Sequence, residues 1–310
     1  MKVYQNWEEV RHKYQNVVMA LGNFDGVHLG HQQLIGQMVA KAGEIGGTPL
    51  VFTFYPHPMA VLRPESVPPM LLSQEAKQDM IAAMGVEVMV RASFTREFSA
   101  MLPEEFVSRI LCDALQTRWV FVGYNYSFGY KGQGTPSLLQ ELGQKHGFNV
   151  HITPSVSVDG EAVSSTLIRQ HIRNGNIAEA RKFLGYCPRF EGNVVLGERR
   201  GRTLGFPTAN LAIDDRIVIP PKGVYSVKAQ VDNDNFLGVA NIGTKPTFHG
   251  TKNKQNIEVH LLDFFGDLYG KKIKVFFTRH IRSEKRFASV NELVDQIKQD
   301  ILLARAQSSD

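Results

Sequence analysis

The chain has 310 residues, enough for two domains with cores of their own. Hydrophobic residues at 43%, charged residues at 21% and no apolar run of about eighteen residues describe a soluble globular protein and exclude a membrane-spanning helix. A net charge of +5 and a pI near 9.1 suit a phosphate-rich small molecule as well as RNA, but the lysines and arginines are scattered and read mostly as solvated surface.

The first fifteen residues, MKVYQNWEEVRHKYQ, carry mixed charge and no apolar core of signal-peptide type, so a cytoplasmic protein is expected. Apolar runs at 17–21, 50–54, 86–90, 119–122 and 148–152 then recur with helical stretches between them. Continuous apolar runs alternating with helices imply right-handed βαβ units and a parallel sheet, with ligand at the carboxyl ends of the strands. A Rossmann-like first domain is expected over 1–186. Helices are expected from Ser165 past Ile172 and over 177–184, the second stopped by Gly185.

After Pro188 the period changes. Tyr225, Val227, Ala229 and Val231 alternate with polar residues, as do Ile257, Val259 and Leu261. Short strands between Gly, Pro and Asn turns predict an antiparallel β-barrel over 187–310, closed by an amphipathic helix over 290–306. The expected fold class is therefore α/β followed by β. Only Cys112 and Cys187 are present, neither in a metal-ligand spacing, so a disulfide or zinc framework is not expected.

The decamer GNFDGVHLGH, residues 22–31, follows the first of these runs and opens a helical segment through Leu34, Ile35, Met38, Val39 and Ala42. A strand, a glycine-rich turn and a helix start form an anion cradle, because first-turn amides lack internal partners and carry the positive end of the dipole. His28 and His31 stand at its mouth, able to donate hydrogen bonds to a triphosphate. The decamer resembles the signature of the nucleotidyltransferase superfamily and, with Phe24, Asp25 and Gly26, is most similar to the bacterial flavin adenylyltransferases.

That resemblance assigns Gly22, Phe24, Asp25 and Gly26 to ligand binding. GYNYSFGYKGQG, residues 123–134, offers glycines and aromatics for a planar ring, and Asn125, where the family often has Asp, could read an adenine edge or ribose. SSTLIR, residues 164–169, resembles the family's second phosphate motif: Ser165 or Thr166 would cap the helix, and Arg169 would add a charged fork. FYPHP, residues 54–58, resembles a segment near the flavin phosphate, although His57 alone is an ordinary turn residue. No protein nucleophile is implied. The resemblance implies in-line attack of the FMN phosphate on the α-phosphorus of ATP, with His28, His31 and Arg169 stabilising developing charge; magnesium would supply further neutralisation of the departing pyrophosphate.

GRTLGFPTANL, residues 201–211, is similar to the riboflavin kinase signature. It assigns Gly201, Arg202, Gly205 and Pro207 to ligand binding, while Thr208 and Asn210 offer two neutral oxygens to a magnesium ion. GVY at 223–225, NIGTKPTF at 241–248, IEVHLLDFFGDLYG at 257–270 and IRSEKRF at 281–287 match further blocks of that family in order. There Glu258 stands where the family places its general base, and Arg282 with Phe287 would close over flavin.

The resemblances together imply a bifunctional enzyme that phosphorylates riboflavin to FMN and adenylates FMN to FAD. ATP is co-substrate, magnesium is needed in both steps, and the partners are small molecules rather than nucleic acid or membrane. Two rivals remain: a nucleotidyltransferase for another phosphorylated acceptor, and a nucleic-acid-binding barrel prompted by the basic pI. Oligomeric state is not legible in the sequence.

Overall fold

The computed structural model describes residues 1–197, 200–245 and 254–306, with backbone alone at 200, 202, 245, 254 and 255. The chain divides into two compact units, Met1–Pro69 with Gln74–Ser164, and Met70–Ser73 with Ser165–Asp310.

The first unit is built on a six-stranded sheet of β1 (Lys2–Tyr4), β2 (Val17–Leu21), β3 (Pro49–Phe54), β4 (Val88–Ala92), β5 (Thr117–Gly123) and β6 (Asn149–Thr153). The spatial order is β1-β4-β3-β2-β5-β6 with every pairing parallel, as the continuous apolar runs require. The sheet grows from β2 towards β3 and β4 on one side and towards β5 and β6 on the other. That reversal makes the carboxyl ends of β2 and β5 the topological switch point, where open α/β sheets bind their ligands. All five residues of β2 are buried, and the helix Leu29–Ile45 covers it with Leu34, Ile35, Met38 and Ala42. β1 is the one strand of this sheet that periodicity did not predict.

After β7 (Ser157–Val158) and β8 (Glu161–Ala162), a two-stranded hairpin, the second unit begins with the helices Ser165–Arg173 and Ile177–Leu184. The second helix ends at Gly185, whose φ of 78° supplies the left-handed cap. A closed barrel follows in the order β10-β13-β12-β11-β14-β9, with β9 (Arg189–Val195), β10 (Ala209–Ala212), β11 (Gly223–Val231), β12 (Asp234–Lys245), β13 (Lys254–Leu261) and β14 (Lys272–Arg282). Every pairing is antiparallel. Tyr225, Val227, Ala229, Ile257, Val259, Ile273, Val275 and Phe277 fill its interior. The helix Val290–Ala306 ends the described chain with the bounds its periodicity predicts. Met70 joins this unit through a parallel bridge to Ile217, donating its amide to the Arg216 carbonyl at 2.7 Å and accepting from Val218 at 2.8 Å.

Candidate active sites

Both loops that flank the switch point are those singled out by sequence: residues 22–31 leave β2, and residues 123–134 leave β5. The first is tightly wound, with positive φ at Phe24 (51°), Gly26 (81°) and Val27 (34°). The Phe24 ring is buried. It lies under Gly22, where an added Cβ would come within 3.0 Å of it, and edge-on to His31. Gly22 is therefore small because the phenylalanine needs the space.

His28 caps the following helix, and its Nδ1 accepts the amide of His31 at 3.3 Å. A neutral His28 consequently carries its proton on Nε2 as a donor. The two imidazoles stack, with centroids 3.6 Å apart and planes 15° from parallel. His31 is held well below the usual histidine range, first by burial and then by His28 and Lys77, and its Nδ1 is buried without a hydrogen-bond partner. Burial therefore keeps His31 uncharged at neutral pH.

Asp25 is half-buried in the same loop, and the Asn23 carbonyl between it and Gly22 accepts from Thr53 Oγ1 at 3.3 Å and from Lys77 Nζ at 3.2 Å. Lys77 lies in the helix Gln74–Ala83 and was not anticipated from sequence. Asn125 is exposed in the loop after β5, where Tyr126 and Phe128 stack at 5.8 Å. His57 spends Nδ1 on the Met59 amide at 3.2 Å, capping a short helix, while Phe54 meets Phe94 and Phe98 edge-on, each at 5.3 Å.

Ser165, Thr166 and Arg169 lie on the helix Ser165–Arg173, grouped with the second unit. That helix begins at Ser165, so Ser165 and Thr166 stand in its first turn, where amides lack intrahelical partners. Arg169 is buried.

The kinase-like motifs meet on the outer face of the barrel. Glu258 of β13 is directly opposite Asn210 of β10 and Asn241 of β12. Its neighbours Ile257 and Val259 turn into the core, so Glu258 stands on the other face, as the alternation predicts. Asn256, two residues earlier and on that same face, donates to Glu258 Oε1 at 2.8 Å and to Asn210 Oδ1 at 3.2 Å. The backbone before and within the motif packs closely here. A Cβ on Gly197 would come within 2.1 Å of Asn210 Nδ2, and one on Gly201 within 2.4 Å of the Phe206 carbonyl and 3.3 Å of Thr208 Oγ1.

Pro207 is pinned by its carbonyl, which accepts from His260 Nδ1 at 2.8 Å. Gly205 has a φ of 84° and open space above it, so only its backbone freedom calls for glycine. Arg202 is described by its backbone alone, in the helical turn Arg200–Thr203. Of NIGTKPTF, residues 246–248 lie outside the described residues. The Arg282 guanidinium forks onto Asp300 and covers the Phe287 ring at 5.7 Å.

A hydroxyl, an amide oxygen and a carboxylate at Thr208, Asn210 and Glu258 are hard oxygen donors of the kind magnesium prefers, alongside water and phosphate. Among the described residues no group of three or more His, Cys, Asp or Glu could hold a metal on protein ligands alone. A nucleotide-assisted magnesium fits that composition better than a zinc-type cage.

The chain matches the FAD synthetase family model over residues 10–167 and the riboflavin kinase family model over 184–308. It is 37% identical over 294 residues to the bifunctional riboflavin kinase/FMN adenylyltransferase of Bacillus subtilis, covering 94% of this chain and 92% of that one. The Listeria monocytogenes and Escherichia coli K12 proteins of the same name are 40% and 39% identical, over 92% and 94% of this chain and 90% and 92% of theirs. The chain belongs to the bifunctional riboflavin kinase/FMN adenylyltransferase family. A crystal structure from Streptococcus pneumoniae titled macrolide-efflux protein superposes with a TM-score of 0.88 at 32% identity, covering 98% of both chains. That title describes the pneumococcal protein; among the described residues here no helix is long and apolar enough to cross a membrane.

Proposed function

We propose that this chain makes both flavin coenzymes, phosphorylating riboflavin to FMN on the barrel and adenylating FMN to FAD at the switch point of the parallel sheet. The observation that carries the site assignment is the cross-strand row Asn210–Glu258 with Asn256 hydrogen-bonded to both, inside a family match that spans both units.

On the barrel, the Glu258 carboxylate takes the proton of riboflavin's primary alcohol as its oxygen attacks the γ-phosphorus of ATP. Asn256 holds that carboxylate, and the loop of Gly201, Gly205 and Pro207 brings backbone close to the phosphates. Thr208 and Asn210 would hold a magnesium ion, which neutralises phosphate charge when bound. In the first unit, an FMN phosphate oxygen attacks the α-phosphorus of ATP and pyrophosphate leaves. His28 Nε2–H and the Leu29 and Gly30 amides at the start of the helix Leu29–Ile45 donate to the phosphates as charge builds. Arg169, and the hydroxyls and amides of Ser165 and Thr166, are read as further phosphate contacts on the strength of their motif.

Chromatography of products from riboflavin, ATP and magnesium tests both steps at once. His28→Ala is expected to lower FAD formation by about 100-fold while FMN formation stays near wild type. Glu258→Ala is expected to abolish riboflavin phosphorylation and to leave FAD formation intact when FMN is supplied. Equal loss of both activities in either folded variant would falsify this division.

A further inference from the structure

Lys77 is only 5% exposed, although lysine is almost never fully buried without an anionic partner. Its ammonium has three donors, and the hydrogen bond it makes is to the neutral Asn23 carbonyl at 3.2 Å. Among the described residues it forms no ion pair. Asp25 lies near enough to favour the charge and Arg91 near enough to oppose it, while burial pushes the ammonium down from 10.5 to about 8. At neutral pH it remains a cation, and its charge is felt at His31. A desolvated positive charge with N–H donors unspent is thus hydrogen-bonded to the Asn23 carbonyl of the strained loop 22–31, and the uncharged His31 imidazole is close enough to feel it.

A purely structural role does not need this charge. Thr53 already donates to the same carbonyl, and an apolar side chain would fill the volume without desolvating an ion. A phosphate arriving in the cradle would satisfy the remaining donors and offset the desolvation.

We propose that Lys77 is a phosphate-binding catalytic residue of the adenylyl-transfer centre, donating to a polyphosphate oxygen of ATP and of the departing pyrophosphate. The proposal rests on residues 22–31 being the nucleotide site, and it adds a cation that His31, kept uncharged by burial, does not supply.

The test uses the full chain with Lys77→Met and Lys77→Arg, measuring FAD formation from FMN, product inhibition by pyrophosphate, FMN affinity and riboflavin phosphorylation. Lys77→Met is expected to lower kcat/KM for ATP by about 100-fold and to weaken pyrophosphate inhibition by about tenfold or more. Its FMN affinity should stay within about threefold of wild type, since removing one phosphate ligand leaves the flavin contacts in place. Lys77→Arg should retain more activity than Lys77→Met. In the wild type, pyrophosphate inhibition should fade as pH rises through about 8, and the arginine variant should lose that dependence because a guanidinium does not titrate there. The charged and titratable groups facing the ammonium are Asp25 from the loop, His31 from the first helix and Arg91 from β4.

Unaltered pyrophosphate inhibition in a Lys77→Met protein that still binds FMN would overturn the proposal. So would a parallel loss of pyrophosphate and FMN affinity in both variants, which marks a structural prop. If Lys77→Met does not fold, the pH dependence of Lys77→Arg decides: its persistence rejects the proposal. Failure of the underlying site reading is separate, because it would appear as a His28→Ala protein with full FAD formation.

Discussion

The guanidinium of Arg282 is forked onto the carboxylate of Asp300, with Nε 3.0 Å from Oδ1 and Nη2 2.8 Å from Oδ2. The last residue of β14 is thereby fastened to the terminal helix, and Gln296 adds a third donor to the same carboxylate at 3.1 Å. The Asp300 side chain is 3% exposed and that of Arg282 21%.

Asp300→Ala strands a largely buried cation and is expected to destabilise the second unit by about 3 kcal/mol. Denaturant unfolding, followed alongside riboflavin phosphorylation, checks this. An Arg282→Met/Asp300→Leu double variant should recover most of the loss, because both charges are then gone. If the double variant is no more stable than Asp300→Ala, the pair is not the source of the effect.

Asn256 links the residue proposed as base to one proposed as metal ligand. Asn256→Ala removes donors to Glu258 and Asn210 together, leaving Glu258 less well oriented, and riboflavin phosphorylation is expected to fall by about ten- to 100-fold in kcat. KM for riboflavin and FAD formation from supplied FMN should change little. Steady-state kinetics of both reactions on one preparation measures the contrast, and an effect confined to KM would argue against a positioning role.

Acid should weaken the first unit. His31 is depressed in the folded state, chiefly by burial, so between its ordinary value of 6.5 and its lower folded value the unfolded chain binds a proton that the folded chain refuses. Stability therefore falls as pH drops below about 6.5, by at most about 1.4 kcal/mol per pH unit for this one group. Melting curves of His31→Asn and wild type across pH 7 to pH 5, the window of that titration, should diverge less in acid than at neutrality. Parallel curves would show that His31 is not the group responsible.

Much of this molecule is legible in its residues, for identifiable reasons. Strand β2 is buried on both faces and reads as an unbroken apolar run, with β3 and β4 buried nearly throughout, whereas in β11 and β13 core residues alternate with polar ones. The two signature loops were found because glycine, histidine and proline occur there at fixed spacing. β1 was missed because three residues are too few to show a period. Lys77 was missed because QEAKQDM reads as the solvated face of a helix, and only tertiary packing places its ammonium against the Asn23 carbonyl. Asn256 carries no motif; its importance comes from strand register, which sets it two residues from Glu258 and lets it reach Asn210 on the neighbouring strand. The pairing of Arg282 with Asp300, eighteen residues later, is not legible in the sequence, because strand and helix are brought together only by tertiary packing.

The bridge between Met70 and Ile217 bears on how the polypeptide can be divided. A tetrapeptide drawn from early in the chain completes the hydrogen bonding of Arg216 and Val218, so the barrel unit is not one uninterrupted stretch of sequence. Proteolysis or gene truncation at any single peptide bond leaves at least one fragment without a strip of its own fabric. Domain-dissection experiments would then measure the loss of the Met70 bridge as well as the loss of the other catalyst, which makes point variants in the intact chain the cleaner way to assign each reaction.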